Sequence, residues 1–394
     1  MSSLPEVFIV SAARTPIGSF QGAFNSLTAH DLGAVVIKEV VNRANLIASD
    51  VDEVILGQSL QAAQGQNPAR QAALKAGLPI EVPAYGVNML CGSGLKSVGL
   101  GFQAIKNGDS KIVVCGGQES MTRAPHAMNL RSGTKMGNST MVDTMIVDGL
   151  TDAMNNIHMG ETAENLAKKY EVTREQQDEF AAKSQRLAAE AQKAGYFDEE
   201  IVSVSVPGRK ETITVSKDEY IKGDTNVAGL AKLRPCFIKE GTVTAGNASG
   251  INDSAACVLL ASAEEVLKRN LKPLAKIVAF SQAGCDPKIM GAGPIEAVPK
   301  VLEKAGWKLE DVDLFELNEA FAAQALSVNK GLKVDETKVN INGGAIALGH
   351  PIGASGARVL VTLLYALKRT GKKRGVASLC IGGGMGVAMA VEMA

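Results

Sequence analysis

Short β-branched runs alternate along this chain with longer stretches whose apolar positions recur every three or four residues. Val7-Phe-Ile-Val10 reads as a strand. From Asp31 to Arg43 the apolar residues Leu32, Val35, Val36 and Val40 fall on one helical face. Val54–Leu56 predicts a second strand and Ala69–Ala76 a helix. Lys111–Val114 predicts a buried strand ending at Gly116-Gly117. Short apolar strands separated by helices predict parallel pairing with helices on both faces.

Between about 121 and 249 the texture changes. Met121, Met128, Met136, Met141, Met145, Met154 and Met159 are scattered among glycines and charges. One polar helix is predicted from Thr173 to Ala194, opened by the capping-box pattern Thr173-Arg-Glu-Gln176. This segment reads as an insertion lying over a site. From about 273 the alternation returns. Strands are predicted at Leu274–Phe280 and Val312–Leu317, and helices at Ile295–Ala305 and Glu319–Lys330. After Val339–Ile341 come a helix from Gly353 to Lys368 and a final apolar strand–turn–strand. The two ends rhyme. Cys91-Gly-Ser-Gly precedes a helix bearing Leu95, Val98, Phe102 and Ile105, and Gly349-His-Pro-Ile-Gly precedes one bearing Val359, Leu360, Leu363 and Leu367. A duplicated α/β unit follows. Its N-terminal half spans 1–120 and is completed by about 250–272, an inserted loop domain spans 121–249, and the C-terminal half spans 273–394.

Composition narrows the function. At 394 residues, several domains are expected. The 41 basic residues balance 41 acidic ones, which argues against a broad nucleic-acid or membrane footprint. With 46% apolar residues the chain can bury a large core. No secretory or mitochondrial leader and no peroxisomal Ser-Lys-Leu ending is legible, so a cytoplasmic address is expected. The six cysteines form no C-x-x-C pair, which fits neither a zinc site nor a disulfide framework and suits a reducing compartment.

Four places could carry chemistry. Cys91 opens a glycine turn at a helix N-terminus, where the helix dipole favours thiolate and can bring a cysteine from about 8.5 to roughly 3.5–7.5. A buried small hydrophobe is the plain alternative. His350 lies in a glycine- and proline-fixed loop that would aim its ring, as a base for a thiol requires. Cys380 ends a strand before Gly382-Gly-Gly384, where N–H donors and close backbone approach are available. Asn318-Glu319 follows a strand, so amide and carboxylate would point toward a site at the strand ends, although Asn is also an ordinary helix cap. For binding, His158, Met159, Lys210, Lys222, Thr225 and Ser249 draw interest only because a phosphate-bearing ligand needs cations and hydroxyls.

Taken together, Cys91-Gly-Ser-Gly-Leu-Lys96, Asn318-Glu-Ala-Phe321, Gly349-His-Pro-Ile-Gly353 and Cys380-Ile-Gly-Gly-Gly-Met-Gly386 resemble, in order and spacing, the motifs of the thiolases. The resemblance runs the full length and includes Val7–Phe20 and Asn247–Asp253. It implies a thiolase-like five-layered α/β/α/β/α fold from two duplicated halves with an inserted loop domain, and a homotetramer. The activity implied is acyl transfer that condenses two acetyl-CoA into acetoacetyl-CoA and coenzyme A, and the reverse thiolysis, by ping-pong catalysis through a cysteine thioester. A degradative 3-ketoacyl-CoA thiolase of broader chain length is the alternative.

On this resemblance Cys91 is the acylated nucleophile. His350 accepts its proton and later helps hold the thioester oxygen, while Cys380 exchanges the α-proton. Asn318 orients a water in one oxyanion hole, and the N–H groups of Cys91 and Gly382 form the other. His158, Ser249, Lys222 and Thr225 match coenzyme A contacts, with Lys222 standing where an arginine is often found. Met159, Met290 and Phe321 match the lining of a short acyl pocket. No metal and no cofactor beyond coenzyme A, as substrate and product, is expected.

Overall fold

The backbone of Val7–Arg14 runs as a strand twice as long as its β-branched start. Its partner is Asn252–Ser262, buried at every residue. The structure, a computed structural model, describes residues 5–208 and 210–394. Its main strands are β1 Val7–Arg14, β2 Glu53–Gly57, β3 Ala84–Val87, β4 Ile112–Ser120, β5 Asn252–Ser262, β6 Ala275–Gly284, β7 Leu314–Leu317, β8 Arg374–Ile381 and β9 Met385–Met393. They line up as β7-β8-β9-β6-β1-β5-β4-β2-β3, and a two-residue strand, Gly18–Ser19, pairs with β5 off this path.

Read outward from the centre, β1-β5-β4-β2 and β6-β9-β8-β7 are the same motif. In each, two antiparallel pairings are followed by a parallel one, and the halves meet where Phe8 pairs Lys276 and Ile9 pairs Ala275. Matching side chains confirm the duplication. Asp52 accepts from the N–H groups of Lys111 and Ile112, and Asp313 does the same for Lys373 and Arg374.

The expectation of parallel pairing is therefore corrected, because each half is mixed. A strand returned by a tight turn has to run antiparallel, and Gly382–Gly384 makes such a turn between β8 and β9, with Gly383 and Gly384 both at φ +82°. Two further differences have local causes. β4 continues through Gly116-Gly117 to Ser120 because β5 pairs with it along that length. Val339–Ile341 makes only a one-residue bridge, Val339 to Phe315, with Asn340 N–H donating to Phe315 O at 2.9 Å; beyond it the Asn340 side chain bonds the N–H and C=O of Leu317 where the next backbone pair would stand.

Helices α1 Ala29–Arg43 and α2 Pro68–Lys75 cover the outer face of the N-terminal half. Two more, α3 Ser93–Asn107 and α8 Ile352–Thr370, lie between the halves. The segments α4 Met159–Tyr170 and α5 Arg174–Lys193 belong to the 121–249 region. On the outside of the C-terminal half lie α6 Gly293–Ala305 and α7 Ala322–Leu332. Outer helices, sheet, central helices, sheet and outer helices give the five layers. α8 is buried from Ile352 to Leu367, as a helix enclosed on all sides must be.

α3 and α8 touch through glycines. A Cβ on Gly94 would lie 2.7 Å from the Ala357 nitrogen, and one on Gly356 would lie 2.2 Å from the Leu95 nitrogen. Among the described residues, the 121–249 region holds three short two-stranded antiparallel pairings besides α4 and α5. α5 matches the predicted polar helix and carries the predicted Thr173–Gln176 capping box, whereas α4 had not been predicted.

Candidate active site

The two central helices begin at one place. Before α3, Leu90 adopts φ +47°, a left-handed conformation that is costly for leucine. The turn is secured by Ser93, whose Oγ accepts from Met89 N–H at 2.8 Å and donates to the Leu90 carbonyl at 2.7 Å. Cys91 sits at its tip. A Cβ on the next residue, Gly92, would lie 2.4 Å from Ile381 Cδ1, so the glycine is what lets the end of β8 reach the cysteine.

Cys91 opens into a cavity of about 510 Å³. Lining it with Cys91 are His350, His158, Met159, Ser249, Met290 and Phe321 from the sequence-derived set. The 121–249 region supplies much of the remaining wall, including Met121, Leu150, Tyr220 and Phe237.

The thiol does not behave as the helix dipole alone predicts. Burial pushes Cys91 up to about 11, the nearby Glu119 charge adds to that, and the N–H groups of Gly382 and of Cys91 itself only partly offset it. The lowered pKa expected from the helix start is thus corrected: desolvation outweighs the dipole. Both of those N–H groups nevertheless point at the sulfur, where an oxyanion on an attached acyl group would form.

His350 is buried and held from three sides. Its N–H donates to Asn252 Oδ1 at 2.9 Å, its Nδ1 is 2.6 Å from Ser355 Oγ, and the Asn318 amide nitrogen lies 3.4 Å from each ring nitrogen. Ser355 Oγ donates to the Pro351 carbonyl at 2.9 Å, so it can only accept from the ring. The ring proton therefore sits on Nδ1, and Nε2 is left as a base. Burial, reinforced by Arg358, lowers the imidazole to about 3. At rest the site holds a neutral thiol and a neutral imidazole.

Cys380 is fully buried and does not line the cavity. It packs behind the wall with Met159, Met290, Ala320 and Phe321. Its thiol is raised by burial and then by the neighbouring Cys91 and Cys285, so both of those sulfurs lie within electrostatic reach of it. Asn318 is fixed by its N–H to Ser378 O at 3.0 Å, and its buried Oδ1 has no hydrogen-bond partner among the described residues.

Glu319 departs from expectation. Its carboxylate turns away from the cavity and accepts from Ser184 at 2.6 Å, Asn340 at 3.0 Å and Ile346 N–H at 3.2 Å, tying α5 to the loop before α8. The rest of that motif reaches the cavity through backbone pairing. Ser249 N–H donates to Ala320 O at 3.0 Å and Ala322 N–H to Asn247 O at 2.8 Å, which sets Ser249 beside Phe321.

His158 caps α4. Its Nδ1 accepts from Gly160 N–H at 3.0 Å, burial lowers its pKa, and its ring stacks on Phe237 with centroids 4.8 Å apart. Nε2 then carries the proton of the neutral ring and can donate. Lys222 is exposed outside the wall, with its ammonium 5.2 Å above the Tyr220 ring, and Thr225 follows it in the same turn. Lys210 is not brought to the cavity. It is exposed in the turn of the Val204–Pro207/Thr212–Val215 hairpin, because that hairpin packs toward the outer N-terminal core. Sequence reasoning gave no role to Ser355, Asn252, Tyr220, Phe237 and Glu119; Asn252 lies within the Asn247–Asp253 match and Ser355 two residues past Gly353, while the other three stand in no pattern that marks them without the fold.

The chain matches "Thiolase, N-terminal domain" over residues 7–264 and "Thiolase, C-terminal domain" over 271–393. It is 60% identical over 390 residues to an acetyl-CoA acetyltransferase of Rhizobium meliloti, covering 99% of each chain. It is 56% identical over 388 residues to the cytosolic acetyl-CoA acetyltransferase of Mus musculus, covering 98% of each. Among solved structures it superimposes on the Bacillus anthracis acetyl-CoA acetyltransferase with a TM-score of 0.98 at 46% identity, covering 100% of both chains. On human mitochondrial 3-ketoacyl-CoA thiolase the TM-score is 0.97 at 44% identity, covering 99% of this chain and 100% of that one.

Proposed function

The chain belongs to the thiolase family, and from that premise we propose the reaction and the residues that perform it. The protein transfers an acetyl group between two acetyl-CoA molecules, giving acetoacetyl-CoA and coenzyme A, and runs the reverse thiolysis. The observation that supports the residue roles best is Cys91 at a strained turn under the Gly382 N–H, sharing one cavity with the Nε2 base of His350.

In the first half-reaction Cys91 Sγ attacks the acetyl carbonyl carbon and its proton passes to His350 Nε2. The N–H groups of Cys91 and Gly382 hold the tetrahedral oxyanion. As the carbon–sulfur bond to coenzyme A breaks, the departing sulfur takes the Cys380 proton. This leaves acetyl-Cys91, a Cys380 thiolate and a protonated His350. A second acetyl-CoA then binds. Cys380 removes its α-proton, and the enolate oxygen is held by protonated His350 and by a water that Asn318 orients through its free Oδ1. The enolate carbon attacks the acetyl group on Cys91. The Cys91 sulfur leaves and recovers its proton from His350, so all three groups return to their neutral resting forms. The raised thiols and the lowered imidazole suit this cycle, because charge is separated only between acetylation of Cys91 and release of the product, and the resting groups are neutral.

Coenzyme A enters only as substrate and product. Ser249 and the Nε2–H of His158 bind its chain inside the cavity, while Lys222 and Thr225 meet it at the mouth. Met159, Met290 and Phe321 close the acyl end and favour two-carbon units. The likeness to human 3-ketoacyl-CoA thiolase keeps a second reading in view, a degradative enzyme of broader chain length.

A homotetramer is supported by the apolar side chains exposed along 128–147, where Leu130 is 60%, Met136 94% and Met141 58% exposed. A cytoplasmic address is supported by the cytosolic mouse and rat relatives. No helix among the described residues is long and apolar enough to cross a membrane.

The test is intact mass after exposure to acetyl-CoA, with thiolysis of acetoacetyl-CoA measured beside that of a long-chain 3-ketoacyl-CoA. One acetyl group on Cys91 and a steep fall with chain length are expected. Acetylation that persists in Cys91→Ser overturns the nucleophile, and equal turnover of the long chain establishes the second reading.

A further inference from the structure

The duplication places a second site opposite the first. The reciprocal contacts of Gly94 and Gly356 make these residues equivalents, and three positions before them stand Cys91, in the turn that leads into α3, and Gly353, in the first turn of α8. At the first position lies the reactive thiol. At the second, Gly353 N–H donates at 2.8 Å to a carboxylate of the protein's own, that of Glu119 at the end of β4.

The same carboxylate accepts from Ser59 N–H at 3.0 Å and Leu60 N–H at 3.3 Å, in the loop that follows β2. Glu119 is fully buried and does not line the cavity. The packing around it requires glycine at two positions. A Cβ on Gly353 would lie 2.7 Å from Glu119 Oε2, and one on Gly117 would lie 2.1 Å from Gly353 O. His350 stands three residues before Gly353, and its N–H is held from the same half by Asn252 on β5.

We infer that Glu119 is a positioning residue for acetylation: its carboxylate fills the mirror image of the Cys91 site and, by joining Gly353 to Ser59 and Leu60, fixes the start of α8 and hence His350 relative to Cys91. This rests on the thiolase reading for the step that it assists. Burial, with Asp253 close by, brings Glu119 to about 7, so the backbone donors are what hold the charged form.

The experiment uses Glu119→Gln and Glu119→Ala in the full chain, following acetylation of Cys91 by intact mass over a range of acetyl-CoA concentrations. An amide offers one acceptor oxygen to three donors and turns its NH2 against one of them. Glu119→Gln should therefore lower the limiting acetylation rate about tenfold or more, since small misplacements near reacting atoms cost that much. The half-saturating acetyl-CoA concentration should stay unchanged, because the coenzyme A wall is untouched. In Glu119→Ala, formate should restore the rate saturably by refilling the cradle. Acetylation of Glu119→Gln at the wild-type rate overturns the inference, as does a folded Glu119→Ala protein that formate does not restore. If Glu119→Ala does not fold, Glu119→Gln decides alone. Wild-type protein that takes up no acetyl group overturns the thiolase reading instead, so the two failures are distinct.

Discussion

Ser355 Oγ lies 2.6 Å from His350 Nδ1 while giving its own proton to Pro351 O, and this single hydroxyl decides which ring nitrogen is the base. His350 stands two residues before α8 and Ser355 lies in its first turn, so the helix that follows the base also fixes its tautomer. The supporting contacts come from the other half of the molecule: Asn252 on β5 holds the His350 N–H. In return the C-terminal half delivers the Gly382 N–H to Cys91. Each repeat steadies the reactive group that the other contributes.

Replacing Ser355 by alanine should leave Nδ1 buried with no acceptor and let the proton move to Nε2, where the ring can no longer act as base. Cys91 acetylation is expected to fall about tenfold to a hundredfold, the usual scale for the loss of a partner that orients a histidine. Ser355→Thr keeps the hydroxyl and should recover much of the rate. Stopped-flow release of coenzyme A measures both, and an unchanged rate in Ser355→Ala shows that the tautomer is fixed otherwise.

The Cys91 thiol is raised to about 11, so its thiolate fraction grows as pH rises toward that value and is small at pH 7. Alkylation by iodoacetamide, which needs thiolate and no help from His350, should be slow at neutral pH and speed about tenfold per pH unit until it levels off near 11. Acetylation by acetyl-CoA should not follow that slope at neutral pH, because His350 at about 3 is already neutral and takes the proton within the reaction. Rates of both reactions across pH 6–10 check this. An alkylation plateau near pH 7 shows that the thiol is ionised at rest.

Gly94 packs against the backbone of α8 rather than against a movable side chain, since its Cβ would meet the Ala357 nitrogen at 2.7 Å. Gly94→Ala should push the central helices apart at a cost of about 1–3 kcal/mol, the range for overpacking a close contact. The midpoint of thermal unfolding is expected to drop by several degrees, and acetylation should slow because both helix starts carry reactive groups. Calorimetry measures the first effect, and an unchanged midpoint removes the close contact from the account.

How much of this was legible in the sequence depended on whether a feature was local. Strand and helix patterns gave β1, α1, α3, α8 and the β8–β9 turn, and the glycine-flanked Cys91, His350 and Cys380 stood out because backbone geometry has to bring such groups together. What failed was set by distant partners. β4 runs past its glycines because β5 covers them, and Glu319 turns inward because Ser184 and Asn340 are there to receive it. The Cys91 pKa was misjudged because a helix start is visible in sequence while burial is not. α4 escaped notice because it begins at a capping histidine rather than at Ser, Thr, Asp or Asn. Glu119 carries no motif of its own, Ser355 sits in the glycine motif without a role attached, and only the folded repeat shows what they touch.

Cys380 offers the sharpest separation of the two half-reactions. It packs among Met159, Met290 and Phe321, close enough to Cys91 for that neighbour's charge to raise its thiol. Acetylation needs Cys380 only to protonate the departing coenzyme A, a step for which an already acidic thiol has modest need. Removal of a proton from carbon needs a base, and a serine hydroxyl cannot supply one at neutral pH. Cys380→Ser should therefore still take up one acetyl group on Cys91, at a rate reduced by about tenfold or less. It should lose acetoacetyl-CoA synthesis by about a thousandfold, within the span that removing an acid–base group commonly costs. Deuterium exchange into the methyl group of acetyl-CoA, followed by mass spectrometry, isolates that proton transfer from bond formation and should vanish together with synthesis. If exchange persists while synthesis is lost, the base is another group and Cys380 serves only to shape the pocket. If acetylation is lost as well, the proton given to coenzyme A comes from Cys380 alone and His350 cannot replace it.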